Sequence, residues 1–196
     1  MRKMLVTAVL LMLLPVVGPA VGKAQSVPKG EVFGGYAYSR IEGVNFNGWN
    51  VNVAGNLNEH LGIVVEAAGG YGKDSFTSVL GDTSIDTSAH TIMIGPRITD
   101  RSTKMFTPFV HVLMGYARIN EEITNVGNAA TSFQFSGGVN GFGLVAGGGV
   151  DIGNEGKFTY RLIQFDYFLL RGQESRKVQG ARISTGFVLR LGERAQ

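Results

Sequence analysis

The sequence predicts an all-β fold, an eight-stranded antiparallel transmembrane up-and-down β-barrel. Three observations carry that reading. Hydrophobicity alternates with period two through successive segments of about ten residues, the length a tilted strand needs to cross a bilayer. The connections between the segments run alternately long and short. An export leader precedes them all. The stretch from Trp49 to Tyr71 shows the pattern most plainly. Trp49, Val51, Val53 and Leu57 fall on one face, and Asn50, Asn52, Ala54 and Asn56 on the other. After the polar break Asn58-Glu59-His60, Ile63, Val65 and Ala67 oppose Gly62, Val64, Glu66 and Ala68. Two such arms joined by a tight polar turn make a hairpin.

The leader comes first. Arg2 and Lys3 precede the apolar run Met4 to Val17, which Pro15 and Pro19 interrupt, and Gly22-Lys23-Ala24 supplies small residues for cleavage. Residues 1–24 are therefore expected to be a signal peptide, since a membrane anchor needs about 20 apolar residues. The barrel is expected over residues 31–192. Of 18 basic residues against 15 acidic ones, Arg2, Lys3 and Lys23 lie in the leader, so 15 bases face 15 acids in the remainder. That balance gives no case for a nucleic-acid partner. Cysteine is absent, which excludes disulfides and thiolate chemistry. The 29 glycines follow no Gly-X-Y repeat and fit strands that bend and crowd one another.

The strands follow in order. Glu31 to Arg40 sets Val32, Tyr36 and Tyr38 against Phe33, Ala37 and Ser39. The two arms of the hairpin are next. Ala89 to Ile98 sets Ile92 and Ile94 against Thr91, Met93, Gly95 and Arg97. Phe106 to Ala117 sets Val110, Val112, Met114 and Tyr116 against Phe109, His111, Leu113 and Gly115. Phe142 to Ile152, Phe158 to Leu170 and Ala181 to Gly192 complete the eight. Between them, Ile41 to Gly48, Lys73 to Ser88, Arg118 to Ser132 and Arg171 to Gly180 read as long polar loops. Phe133-Gln134-Phe135 reads as an extension of a strand beyond the membrane. The breaks near His60, at Thr99 to Lys104 and at Gly153 to Lys157 read as short turns. Short turns with both termini on the periplasmic side, and long loops outside, are the organisation of an outer-membrane barrel.

One face of each strand is greasy and the other is small or polar. Asn50, Ala54, Gly62, Ala68, Gly95, Gly115, Gly147 and Gly186 suit the narrow interior of eight strands. Tyr36, Tyr38, Trp49, Tyr71, Tyr116, Tyr160 and Tyr167 lie mostly near strand ends, where membrane–water girdles form. Lipid of the outer membrane is thus the expected partner of the greasy face. Six ionisable residues fall on the inner face: Glu66, Arg97, Asp151, Asp166, Arg182 and Arg190. Charges at membrane depth face inward and pair, so these are expected to form a structural network that plugs the barrel. Arg97 is the nearest partner for Glu66 by sequence, with Arg182 and Arg190 as alternatives.

Several motifs together resemble the outer-membrane proteins with an OmpA-like transmembrane fold. They are Gly34-Gly35-Tyr36, Gly48-Trp49-Asn50, Gly95-Pro96-Arg97, Gly147-Gly148-Gly149-Val150-Asp151 and Ser184 to Gly192. The resemblance spans nearly all of the chain after the leader. It implies insertion by the barrel-assembly machinery, which often reads a final aromatic residue; Leu191 stands at that place here. Larger members continue into a peptidoglycan-binding domain, a function not expected of this sequence.

No catalytic, cofactor-binding or metal-binding residues are expected. Gly141-Phe142-Gly143-Leu144-Val145-Ala146 fits a dinucleotide pattern, but it lies inside a strand and opens no helix. His60, His90 and His111 lack ligand spacing. Asp82 and Asp86 lack the spacing of a calcium loop. His90 with Ser84, Asp86 and Ser88 is the one arrangement with hydrolase-type residues, and it sits in a polar stretch that solvation alone explains. The sequence therefore points to a closed structural or interaction barrel that displays extracellular loops to a partner. A narrow solute channel is the alternative, and an outer-membrane hydrolase a more distant one.

Overall fold

The computed structural model describes residues 27–78, 81–103, 105–126, 133–153, 156–172 and 177–194. The expected signal peptide lies outside these residues. Eight strands follow in chain order: β1 (Val27–Ile41), β2 (Val44–Asn56), β3 (Leu61–Ser78), β4 (Gly81–Thr99), β5 (Phe106–Val126), β6 (Phe133–Ile152), β7 (Phe158–Gly172) and β8 (Lys177–Arg194). Each pairs antiparallel with its neighbour, and β8 pairs back with β1 to close the ring. The ring is staggered. A circuit of directly paired residues from Asn56 through Gly62, Arg97, His111, Gly147, Asp166, Arg182 and Ser39 ends at Phe46, ten residues away on the starting strand. Such a stagger tilts the strands and makes every paired row of the interior a spiral.

The alternation sorts side chains as expected. Phe33, Asn50, Asn52, Val64, Glu66, Met93, Leu113, Val145 and Val188 are buried in the lumen. Val53, Ile63, Val65, Ile94, Val112, Met114, Phe165 and Phe187 stand on the outer surface, with Phe187 as much as 66% exposed. An apolar band that encircles the molecule is far larger than a water-facing surface carries. A ladder closed from β8 back to β1 leaves no open sheet edge in the ring, so this band is built for lipid. At its loop-side margin the tyrosine hydroxyls bond to amides on the neighbouring strand, Tyr38 to Asn45 at 2.8 Å and Tyr167 to Gln179 at 3.0 Å.

The four expected long loops are for the most part strand. Ile41 to Gly48 holds only a two-residue turn, Glu42-Gly43, with φ of +47° and +94° and the ladder resuming at Val44. Positive φ at both positions matches the right-handed twist of the flanking strands, and Gly at the second makes it inexpensive. The β3–β4 ladder continues to Ser78 opposite Gly81, and β5–β6 to Asn125 opposite Phe133, so Phe133-Gln134-Phe135 does extend a strand. β7 likewise runs to Gly172 and β8 begins at Lys177. On the wall, Ser84 to His90 of β4 are partly exposed at every position, so their sequence loses the one-sided alternation that marks a strand in lipid, whereas Ile41 and Phe46 at the shorter β1–β2 extension still face the core. Residues such as Thr83, Ile85, Thr87, Ile119, Ile123 and Thr124 still favour extended backbone.

The extensions are unequal. The β2–β3 ladder stops at Asn47 and Tyr71, and β6–β7 at Gly141 and Gly172. Above those pairs, among the described residues, the ladders that continue are those joining β3, β4, β5 and β6, a four-stranded wall with β3 and β6 as its edges. A cysteine replacing exposed Ser75 on the wall should react with an impermeant maleimide on intact cells. One replacing Ser102, in an exposed turn at the opposite end, should not, and the reverse pattern would invert the topology.

The barrel lumen as candidate functional site

The lumen is filled in layers, and each layer follows from which strands lean inward at that height. Nearest the short turns, Glu31 of β1 takes Arg97 of β4 and Arg101 from the turn after β4; the Arg101 contact is 2.7 Å. Asn56 donates to the same carboxylate at 3.3 Å, and Arg101 also donates to the Glu59 carbonyl at 2.7 Å. One layer up, Arg161 of β7 meets Asp151 of β6 through Nε at 2.7 Å and Nη2 at 3.2 Å. Its guanidinium lies between the rings of Phe33 and Phe109, 4.3 Å from each centroid. A flat cation between two aromatic faces is both packed and electrostatically favoured.

The third layer is the densest. Asp166 accepts from Arg182 at 2.7 Å and from Gln164 at 2.8 Å, and it lies 2.8 Å from His111. Glu66 takes Arg182 as well, with Asn50 and Gln164 each donating at 3.2 Å. Gly147 makes room for this cluster, because a Cβ there would fall 2.1 Å from the Asp166 carboxylate. Gln164 ties the layers together: its carbonyl accepts from Arg161 at 2.6 Å while its amide serves the two carboxylates above.

Above the charges the lumen turns apolar. Met93, Leu113, Val145, Ala117, Ile41, Phe46, Phe168 and Leu170 form a continuous core toward the loop side. A cavity of about 40 Å³ lies among Phe46, Met93, Phe168, Leu170 and Arg182. That holds a few waters and no solute of ordinary size.

The structure places all six of the expected charges on the inner side and distributes them over separate layers. Glu66, Asp166 and Arg182 share one cluster. Arg97 joins Glu31 and not Glu66: the stagger carries Arg97 toward the short turns, while Arg182 on β8 comes to Glu66 across the barrel. Asp151 pairs with Arg161. Arg190 is half-buried, directly across the β1–β8 ladder from Glu31, and its charge also faces Asp151. Sequence reasoning missed Arg161, Gln164, Glu31, Arg101 and the bonding role of His111. Arg161 falls on the wrong parity unless β7 is interrupted, and the β7–β8 register does shift between Arg161 and Gln164. The bulge turns Leu162 and Ile163 outward together, 52% and 45% exposed, and that adjacent apolar pair was the available signal.

The other candidate arrangements are not brought together. His90 meets the Tyr71 hydroxyl at 3.5 Å, and Asp86 pairs with Lys73 at 3.0 Å. No hydrogen bond joins His90 to Ser84, Asp86 or Ser88 among the described residues. The Asp82 side chain lies outside them. Gly141 to Ala146 is internal to β6. Among the described residues no group of His, Cys, Asp or Glu could hold a metal.

A closed ring of eight strands with a lipid-type exterior and a packed, polar lumen defines a small outer-membrane β-barrel. Solved structures of that class are similar. Neisserial surface protein A aligns at 11% identity over 86% of this chain and 100% of its own, with a TM-score of 0.63. Ail, the attachment invasion locus protein of Yersinia pestis, aligns at 18% identity over 83% of this chain and 99% of its own, with a TM-score of 0.55. Ail in complex with the heparin analogue sucrose octasulfate gives 16% identity, coverage of 82% and 97%, and the same TM-score. At these identities the likeness concerns the fold. No protein-family model and no curated protein sequence matches the chain.

Proposed function

We propose that the protein is a closed, non-conducting barrel whose task is to hold the β3–β6 wall above the outer membrane, where it contacts an external partner. The observation that carries this reading is the unequal height of the strands. β4, β5 and β6 have 19, 21 and 20 residues, whereas about 9–11 suffice to cross the bilayer. The surplus is concentrated on one side of the ring, which a channel mouth does not require. The edge of the wall formed by Phe133 to Asn140 carries no charge and no proline, the features that normally discourage strand addition. A recess of about 490 Å³ on the wall is lined by residues that include Lys73, Asp86, Arg118 and Glu122. One of the similar structures is that of an attachment protein, which is consistent with a contact role.

Two measurements test the reading. The refolded protein should give no steady conductance in planar bilayers, because the charge layers and the apolar layer both fill the cross-section. Replacing residues 122–135 by a two-residue turn should leave the barrel folded while abolishing attachment conferred on a non-adherent host. Discrete conductance steps in the wild type would favour the narrow channel. Attachment that survives the deletion would remove the wall from the function.

A further inference from the structure

The outward side chains just above the tyrosine margin follow a rule. On β1, β3 and β5 an outward tyrosine is followed two residues later by an outward base: Tyr38-Ser39-Arg40, Tyr71-Gly72-Lys73 and Tyr116-Ala117-Arg118. On β7 the base is Arg171, above Tyr167 and Leu169. Residues two or four apart on a strand share a face, so every strand that leaves the membrane on the loop side presents an outward cation beyond its outward tyrosine, two residues on for β1, β3 and β5 and four for β7. On the wall side these cations are answered. Lys73 pairs with Asp86 at 3.0 Å, and Arg118 donates to Asn120 at 2.9 Å.

On the low side they are not. Arg171 of β7 sits directly opposite Lys177 of β8, and Arg40 is on the next strand, opposite Ala181. All three are exposed. Like charges directly opposite across a ladder oppose folding. Among the described residues none of the three has an ion pair or a side-chain hydrogen bond. Among the described residues the acid nearby is Glu42, whose carboxylate accepts the Gln179 N–H at 3.0 Å. Just beneath lie the hydroxyls of Tyr38 and Tyr167, which mark the depth of the headgroup zone.

We propose that Arg40, Arg171 and Lys177 form a seat for the phosphate of a lipid in the leaflet on the loop side. Depth and charge select this occupant. The patch lies on the outer, lipid-facing side of β7, β8 and β1, at the height where a headgroup begins, and two arginines and a lysine suit a phosphate monoester. A lipid phosphate there would relieve the repulsion between Arg171 and Lys177 and fix the low side of the rim at the membrane surface, leaving the wall as the part that projects.

The test uses the full barrel refolded in uncharged alkyl-glucoside micelles, titrated with phosphatidic acid, with diacylglycerol of the same chains, and with inorganic phosphate. The triple variant Arg40→Gln, Arg171→Gln, Lys177→Gln should bind phosphatidic acid at least tenfold more weakly than the wild type, each base near a phosphorylated surface contributing about a fivefold factor. Single variants, each about fivefold weaker, cover the case in which the triple variant does not fold. Lys29→Gln with Lys157→Gln, at the other end of the barrel, should bind like the wild type. Salt should weaken the wild-type interaction, and diacylglycerol should not distinguish the variants. Equal affinity of wild type and triple variant for phosphatidic acid would overturn the proposal. So would displacement of the lipid by millimolar inorganic phosphate, which would make the patch a site for the free anion.

Discussion

Replacing Arg182 by methionine is expected to lower the stability of the barrel by about 3–5 kcal/mol, read as a fall in the urea midpoint of protein refolded in lipid vesicles. Arg182 serves both Glu66 and Asp166, and both carboxylates are fully buried. Without it two acids share a layer in which, among the described residues, His111 remains against Asp166. The magnitude comes from the stranded charges and not from the lost bonds alone, since an intact buried pair is close to neutral when set against an apolar replacement. Adding Glu66→Gln to Arg182→Met should therefore recover part of the loss. Glu59→Ala, in an exposed turn, should move the midpoint by less than about 0.5 kcal/mol. Equal shifts from Arg182→Met and Glu59→Ala would mean that the third layer does not hold the barrel together.

A second large effect is expected from Arg161→Met, about 3 kcal/mol and so near the lower end of the same range. The change strands Asp151, but Arg190 also faces that carboxylate and softens the penalty. It also empties the space between Phe33 and Phe109, which methionine fills in part. Arg161→Lys separates the two causes: the charge stays, while the flat, two-pronged fit between the rings is lost. A lysine variant as stable as the wild type would assign the whole effect to Asp151. One as unstable as the methionine variant would assign it to the sandwich.

The parts of the fold that cross lipid were legible because lipid and a packed lumen impose different demands on the two sides of a strand. Trp49 to Leu57 can be read from one residue to the next for that reason. Legibility ended where both sides meet the same medium. Lys73 to Ser88 is strand almost throughout, yet it reads as loop because water lies on either face of the wall. Inside the lumen, the parity of Glu66, Arg97 and Asp166 was readable, but their partners were not. Pairing depends on the stagger, which sets Arg182 beside Glu66 from β8 and sends Arg97 to Glu31. Arg161 was hidden by a single bulge, and Arg101 because it lies beyond the last residue of its strand and folds back.

The stagger and the β1–β8 seam also order events during assembly. Before the seam closes, β1 and β8 are the two free edges of one long sheet, and strands β1 and β4, or β3 and β8, are held far apart by those between them. Glu31 then cannot reach Arg97, nor can Glu66 reach Arg182, so the inner face of the open sheet carries uncompensated charge that the bilayer core disfavours. Closure neutralises both layers in one step. The Glu31–Arg97 and Glu66–Arg182 pairs thus reward only a complete ring, whereas Asp151–Arg161 and Asp166–Arg182 already join neighbouring strands. A partly zipped sheet, or one closed in a register slipped by a residue, would leave Glu31 and Glu66 without their cross-barrel partners.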